Sequence, residues 1–104
     1  MPGKLQRIHT DLRRAIGRLG HVRVGAVKTL VYFSNAGHFA SVHLRRGYVL
    51  LEFLSDRPVR DARIERSIPL GRSRYVNIVR LRDRRHVDRA LAGWLSKAYE
   101  LGSR

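Results

Sequence analysis

Between Val27 and Leu54 the chain runs through three segments of strand-forming residues, "VKTLVYF", "HFASVHL" and "YVLLEFL". Only "SNAG" and "RRG" separate them, and both carry turn residues, with Gly47 free to take a positive φ. A parallel crossover needs about a dozen residues or more, so connections this short force neighbouring antiparallel strands. This meander fixes the centre of the fold.

Helical periodicity flanks it. Leu5, Ile8, Leu12, Ile16 and Leu19 recur at spacings of three and four, which predicts an amphipathic helix over Lys4–Leu19 with Gly20 as its C-cap. Val87, Leu91, Trp94, Leu95, Ala98 and Leu101 make a second stripe, predicting a helix from about Arg84 to Leu101 with Asp83 as N-cap. A fourth strand, "RYVNIVRLR" (Arg74–Arg82), follows an irregular stretch containing Pro58, Pro69 and Gly71. The expectation is a single α+β domain over residues 1–104: an N-terminal helix, a four-stranded mainly antiparallel sheet and a C-terminal helix, with both helices on one sheet face.

Two helices leave the other face of such a sheet bare. The strands are nevertheless apolar on both sides: Leu30 and Tyr32 oppose Val31 and Phe33, and Tyr48 and Leu50 oppose Val49, Leu51 and Phe53. A monomer rarely leaves a large apolar patch uncovered, so a homo-oligomer or a protein partner is expected on that face.

Charge constrains the partner further. Twenty-two basic residues, nineteen of them arginine, stand against eight acids, for a net charge of +14. Residues 29–56 are neutral, whereas residues 1–28 carry +6 and residues 57–89 carry +7. A surface so positive attracts polyanions and repels copies of itself, although an arginine-rich genome inflates the same number. Cysteine is absent, which removes disulfides, thiolate zinc sites and cysteine nucleophiles and fits a cytoplasmic setting. The longest run without Asp, Glu, Lys or Arg, Thr29–Leu44, is too short and too polar for a membrane span, and the N-terminus lacks the apolar core of a secretory signal.

Catalytic and metal signatures are weak. His38 and His43 lie five apart in one strand, so parity sends them to opposite faces, and no histidine pair has zincin spacing. No serine sits in a nucleophile elbow, and no glycine-rich phosphate loop occurs, so neither metal nor cofactor is expected. Glu52 interrupts an apolar strand and is expected to face outward against an arginine of a neighbouring strand.

The stronger signal is an arginine comb. Arg57, Arg60, Arg63 and Arg66 repeat at threes, spreading over half the circumference if the segment turns helically, and Asp61 and Glu65 temper them. Arg72, Arg74, Arg80, Arg82, Arg84 and Arg85 follow, with Arg74, Arg80 and Arg82 on one strand face. Such a stripe would follow a nucleic-acid backbone, with Tyr48 and Tyr75 as stacking partners. Secondary candidates are Phe39, His43, Arg45 and Arg46, the first three brought together by parity and the last at the hairpin tip.

Four segments, "VYFSNAGHFASVHLRRGYVLLEFL", "VRDARI", "YVNIVRL" and "HVDRALAGWLSKAYE", together resemble a bacterial domain of unknown function, family 5655. The marks are Phe39-Ala40-x-Val42, an Asp61-Ala62-Arg63 element whose middle residue is proline in the family pattern, and Trp94-Leu95-x-x-Ala98-Tyr99. The resemblance implies a shared fold and brings no catalytic residue, cofactor or substrate. A bridging Asp61–Arg63 pair is the simplest role for its polar marks. The leading functional expectation is non-catalytic binding of a polyanion, nucleic acid foremost, through Arg57–Arg85 and the first-helix arginines Arg7, Arg13, Arg14 and Arg18, ahead of a protein-interaction or self-association module on the open sheet face. A small-ligand pocket or enzyme ranks third.

Overall fold

Strands β2 (Leu30–Ser34), β3 (His38–Arg45) and β4 (Tyr48–Ser55) form the expected antiparallel meander in the computed structural model, which describes residues 3–103. The sheet extends beyond them. A strand β1 (Arg23–Val27) pairs outside β2, while β5 (Ile64–Pro69) and β6 (Tyr75–Leu81) continue past β4. The order is β1-β2-β3-β4-β6-β5, antiparallel throughout, so the sheet has six strands rather than four.

Both additional strands lack the pattern that marks the others. β1 is "RVGAV", exposed along most of its length, and it joins β2 through Lys28 and Thr29. Lys28 turns with φ 54, a conformation that a β-rich run carrying a lysine does not advertise, so "VKTLVYF" reads as one strand. β5 is "IERSIP", with charges and a proline suited to a sheet edge and only two apolar side chains. No helical turn forms through Arg57–Arg66; residues 58–61 are irregular and lead through a turn into β5.

Helices α1 (Lys4–Gly17) and α2 (Arg89–Gly102) lie against β3 and β4 from one side. Ile8, Leu12 and Ile16 of α1 and Leu91, Leu95 and Ala98 of α2 meet Ala40, Val42, Val49, Leu51 and Phe53 in one buried cluster. Each of the larger of these side chains, all but Ala40 and Ala98, stabilises the fold by roughly 1.5–3 kcal/mol through removal from water. α2 starts later than the periodicity suggests. Asp83 caps a 3-10 turn, Arg84–His86, by accepting the N–H of Arg85; Asp88 then caps α2 by accepting the N–H of Leu91 at 3.0 Å. Gly20, expected as the C-cap of α1, lies beyond it at φ 143, and Arg18 occupies the cap position.

One irregularity matters for every later placement. Phe33 pairs with Ala40 but Ser34 pairs with His38, so Phe39 is an extra residue in a β-bulge. Phe39 therefore joins Ala40 on the helix side, edge-on to Tyr99 with ring centroids 5.4 Å apart. His38 is returned to the uncovered face, 4.9 Å from the Tyr32 ring. Parity counted without the bulge put His38 opposite His43 and Phe39 beside it; both placements are reversed.

The end of α2 is locked onto the β2–β3 turn. The N–H of Gly37 donates to the carbonyl of Gly102 at 2.8 Å, and Asn35 Nδ2 donates to the carbonyl of Tyr99 at 2.6 Å. A Cβ on Gly102 would collide with Asn35 Oδ1 and stand 3.1 Å from the Phe39 Cβ. Gly102→Ala should therefore cost about 1–3 kcal/mol, measured as a lower urea midpoint at unchanged m-value.

Candidate functional site

Two clusters of the charged residues are built into the fold, and they differ in what they leave available. The first centres on Arg63, whose side chain is only 18% exposed. Its Nε and Nη2 donate to Asp61 Oδ1 and Oδ2 at 2.9 and 3.1 Å, while its backbone N–H also donates to Oδ1. Nη1 donates to the carbonyl of His86 at 2.7 Å and lies 3.0 Å from Asp88 Oδ1. The guanidinium also covers the Trp94 ring at 4.8 Å, and Trp94 stacks on Phe53 with centroids 5.5 Å apart and planes at 9°. Arg63 thus ties the segment before β5 to the 3-10 turn and to the first turn of α2. A planar donor fork suits this task, and at most one of the five guanidinium N–H groups of Arg63 is left over.

Hydrogen bonding from Arg63 lowers the Asp61 carboxyl from 3.8 to about 2. Asp88 is lowered chiefly by the N–H of Leu91 that it caps, and Asp11 by its hydrogen bond from Arg84. Asp83 falls to about 2 through Arg85.

The second cluster lies on the uncovered face, at the end of the β3–β4 hairpin. Tyr48 is opposite Arg45 on β3, and the guanidiniums of Arg80 and Arg82 stand 4.9 and 5.4 Å from its ring centroid. Glu65 tempers Arg80 at 2.8 Å. Arg66 occupies the same face opposite Ile78. Leu30, His43 and Leu50 form a cross-strand row that leads to Arg80. Beside it run Tyr32, Ser41, Glu52 and Ile78. The Tyr32 ring crosses Gly25, where a Cβ would strike it. Glu52 has Ser41 and Ile78 as lateral neighbours, and among the described residues no arginine pairs with it, contrary to expectation.

The ten-arginine comb is therefore divided. Arg57 pairs with Asp56 at 3.3 Å, Arg63 is enclosed, Arg84 holds Asp11 at 2.8 Å and Arg85 holds Asp83 at 3.2 Å. Asp61 and Glu65 engage Arg63 and Arg80 instead of tempering a helical turn. Arg72 and Arg74 lie at the β5–β6 turn, at the far end of β6 from Arg82. Arg60 is exposed in the segment before β5. Tyr75 has the parity of buried Asn77 and faces away from Tyr48. Phe39 is buried, His43 and Arg45 share the uncovered face, and Arg46 is exposed at the hairpin tip.

Among the described residues no three His, Asp or Glu side chains gather as metal ligands would, and no helix is long and apolar enough to cross a membrane. Trp94 and Asp88 were not singled out from the sequence as partners of Arg63. Their signal was the Asp61-Ala62-Arg63 element, whose two charges needed companions.

Arg63→Leu should lower stability by about 1–2 kcal/mol in urea denaturation, because it removes the bridge from Asp61 to the His86 carbonyl and Asp88 and uncovers Trp94. The depressed carboxyl of Asp61 makes the folded state bind fewer protons than the unfolded state, so its contribution is complete above about pH 4 and is lost towards pH 2. Asp61→Asn should reduce the fall in stability across that window, read from thermal midpoints at successive pH values.

A family model described as a domain of unknown function, DUF5655, matches residues 2–102. No curated protein and no solved structure matches the chain. The match runs through both helices and the whole sheet, with the Asp61–Arg63 bridge and Trp94 inside it, and the chain belongs to this family of domains of unknown function.

Proposed function

We propose that the chain is a non-catalytic polyanion-binding module that receives a single-stranded nucleic-acid backbone on its uncovered sheet face. The observation that carries this reading is the gathering of Arg80 and Arg82 over one ring, Tyr48, with Arg45 directly opposite. An aromatic ring on an open sheet flanked by guanidiniums offers stacking and phosphate neutralisation together. The surrounding charge favours an anionic occupant. Arg45, Arg66, Arg80 and Arg82 share the face with Glu52 and Glu65, and the whole chain carries +14. This narrows the comb to Arg66, Arg82 and Arg80, the last of them shared with Glu65, adds Arg45, and sets aside Arg57, Arg63, Arg84 and Arg85. The setting in this reading is the cytoplasm.

A second reading has the same face covered by another copy or by a protein partner, favoured by the apolar side chains Leu30, Leu50 and Ile78 that stand in its two cross-strand rows. Two copies of a +14 chain repel each other, which ranks it below an anionic partner.

Fluorescence anisotropy with a labelled oligothymidylate of about twenty nucleotides tests the proposal. Binding should weaken by roughly two to three orders of magnitude between about 50 and 200 mM salt if about six phosphates are neutralised. Arg80→Glu with Arg82→Glu should weaken it about tenfold or more, while Arg13→Glu with Arg18→Glu on the outer face of α1 changes it much less. Equal losses from the two double variants, or no binding at low salt, would contradict it. Sedimentation showing a stable dimer at low salt would promote the second reading.

A further inference from the structure

A groove of about 430 Å³ lies on the helix layer, on the other side of the sheet from Tyr48, between α2 and the Asp56–Val59 segment. Trp94 and Phe53 make its inner wall as a stacked pair, and Arg63 fixes the indole from above. Val59 and Leu101 add apolar surface, while Arg89 and Lys97 stand on the exposed flank of α2.

Gly93 is the feature that makes this groove more than a surface irregularity. It sits inside α2, where glycine costs about 1 kcal/mol relative to alanine. Nothing lies within 4 Å of a Cβ placed there, so no packing contact requires the missing side chain. Its effect is to hold open the notch beside Trp94. The cations on the walls, Arg57, Arg89 and Lys97, outnumber the carboxylates, Asp56 and Glu100. Asp56 is occupied by Arg57, and among the described residues neither Arg89 nor Lys97 has an ion-pair partner.

We propose that this groove binds a small apolar monocarboxylate. The apolar body lies in the Gly93 notch against Trp94, Val59 and Leu101, and the carboxylate meets the cation at one end of the notch, Lys97 or Arg89, which stand one helical turn either side of Gly93. The volume matches that of small-molecule sites, which combine an apolar lining with a few orienting charges. A polyanion backbone has no use for an apolar notch, so the groove and the sheet face stand or fall separately.

Trp94 is the only tryptophan in the chain, so its indole N–H signal and its fluorescence report on the groove directly. Octanoate should shift both saturably, whereas acetate at the same concentration should leave them unmoved. Gly93→Leu, at a position with open space around it, should fold normally by circular dichroism and abolish the saturable response. Lys97→Ala with Arg89→Ala should weaken octanoate about tenfold and leave the response to 1-octanol unchanged. An equal response to acetate, equal affinity for octanoate and octanol, undiminished binding by the Gly93→Leu protein, or no saturable response to octanoate would each overturn the assignment.

Discussion

Two fourteen-residue helices cover the middle of a six-stranded sheet from one side, and the rest of the molecule follows from that one-sided coverage. On β4 it divides Val49, Leu51 and Phe53, which are buried, from Tyr48, Leu50, Glu52 and Leu54, which are not. On β6 it divides Asn77, Val79 and Leu81 from Val76, Ile78 and Arg80. The buried half includes two polar residues, Ser55 and Asn77, and both are hydrogen-bonded; Ser55 Oγ donates to the carbonyl of Arg57. Asn77 donates to the carbonyl of Phe53 and to Ser55 Oγ and accepts from Ser67 Oγ, joining β4, β6 and β5 where their side chains alone would leave a polar gap.

Coverage also decides what the charges do. Of eight carboxylates, six form ion pairs among the described residues: Asp11, Asp56, Asp61, Glu65, Asp83 and Asp88. Three of the pairs join segments that the backbone leaves apart: Lys4–Asp83 and Arg84–Asp11 tie α1 to the 3-10 turn, and Arg63–Asp88 ties the segment before β5 to the start of α2. Asp61–Arg63–Asp88 is the one best shielded from solvent, and it fixes Trp94 as well. The acids are thereby committed to architecture, and the unmatched arginines are left to the surface. That is why the net charge by itself does not tell which arginines are free.

Much of this order was legible from residues. The meander, the two apolar stripes and the bare sheet face follow from periods of two and 3.6 and from connection lengths. β1 and β5 were not legible, because an edge strand exposed on both sides needs no apolar alternation, and Gly25 and Pro69 argue against strands locally. The bulge at Phe39 escaped for a different reason: it is set by the mismatch between the Ser34–Gly37 turn and the register of β2, which no single strand records. It reversed the placement of both His38 and Phe39. In the candidate site, Tyr48, Arg80 and Arg82 shared a parity that could be counted. Arg57, Arg63, Arg84 and Arg85 could not be sorted, because their partners lie across loops or elements whose packing is tertiary.

On the proposed reading the uncovered face, not the helix layer, meets the polyanion. Backbone amide shifts on titration with a short single-stranded oligonucleotide at low salt test it most directly. The account predicts perturbations concentrated at Arg45, Tyr48, Leu50, Ile78, Arg80 and Arg82 and weak ones along α1 and α2. Perturbations confined to the outer faces of the helices, or spread evenly over every exposed arginine, would contradict it.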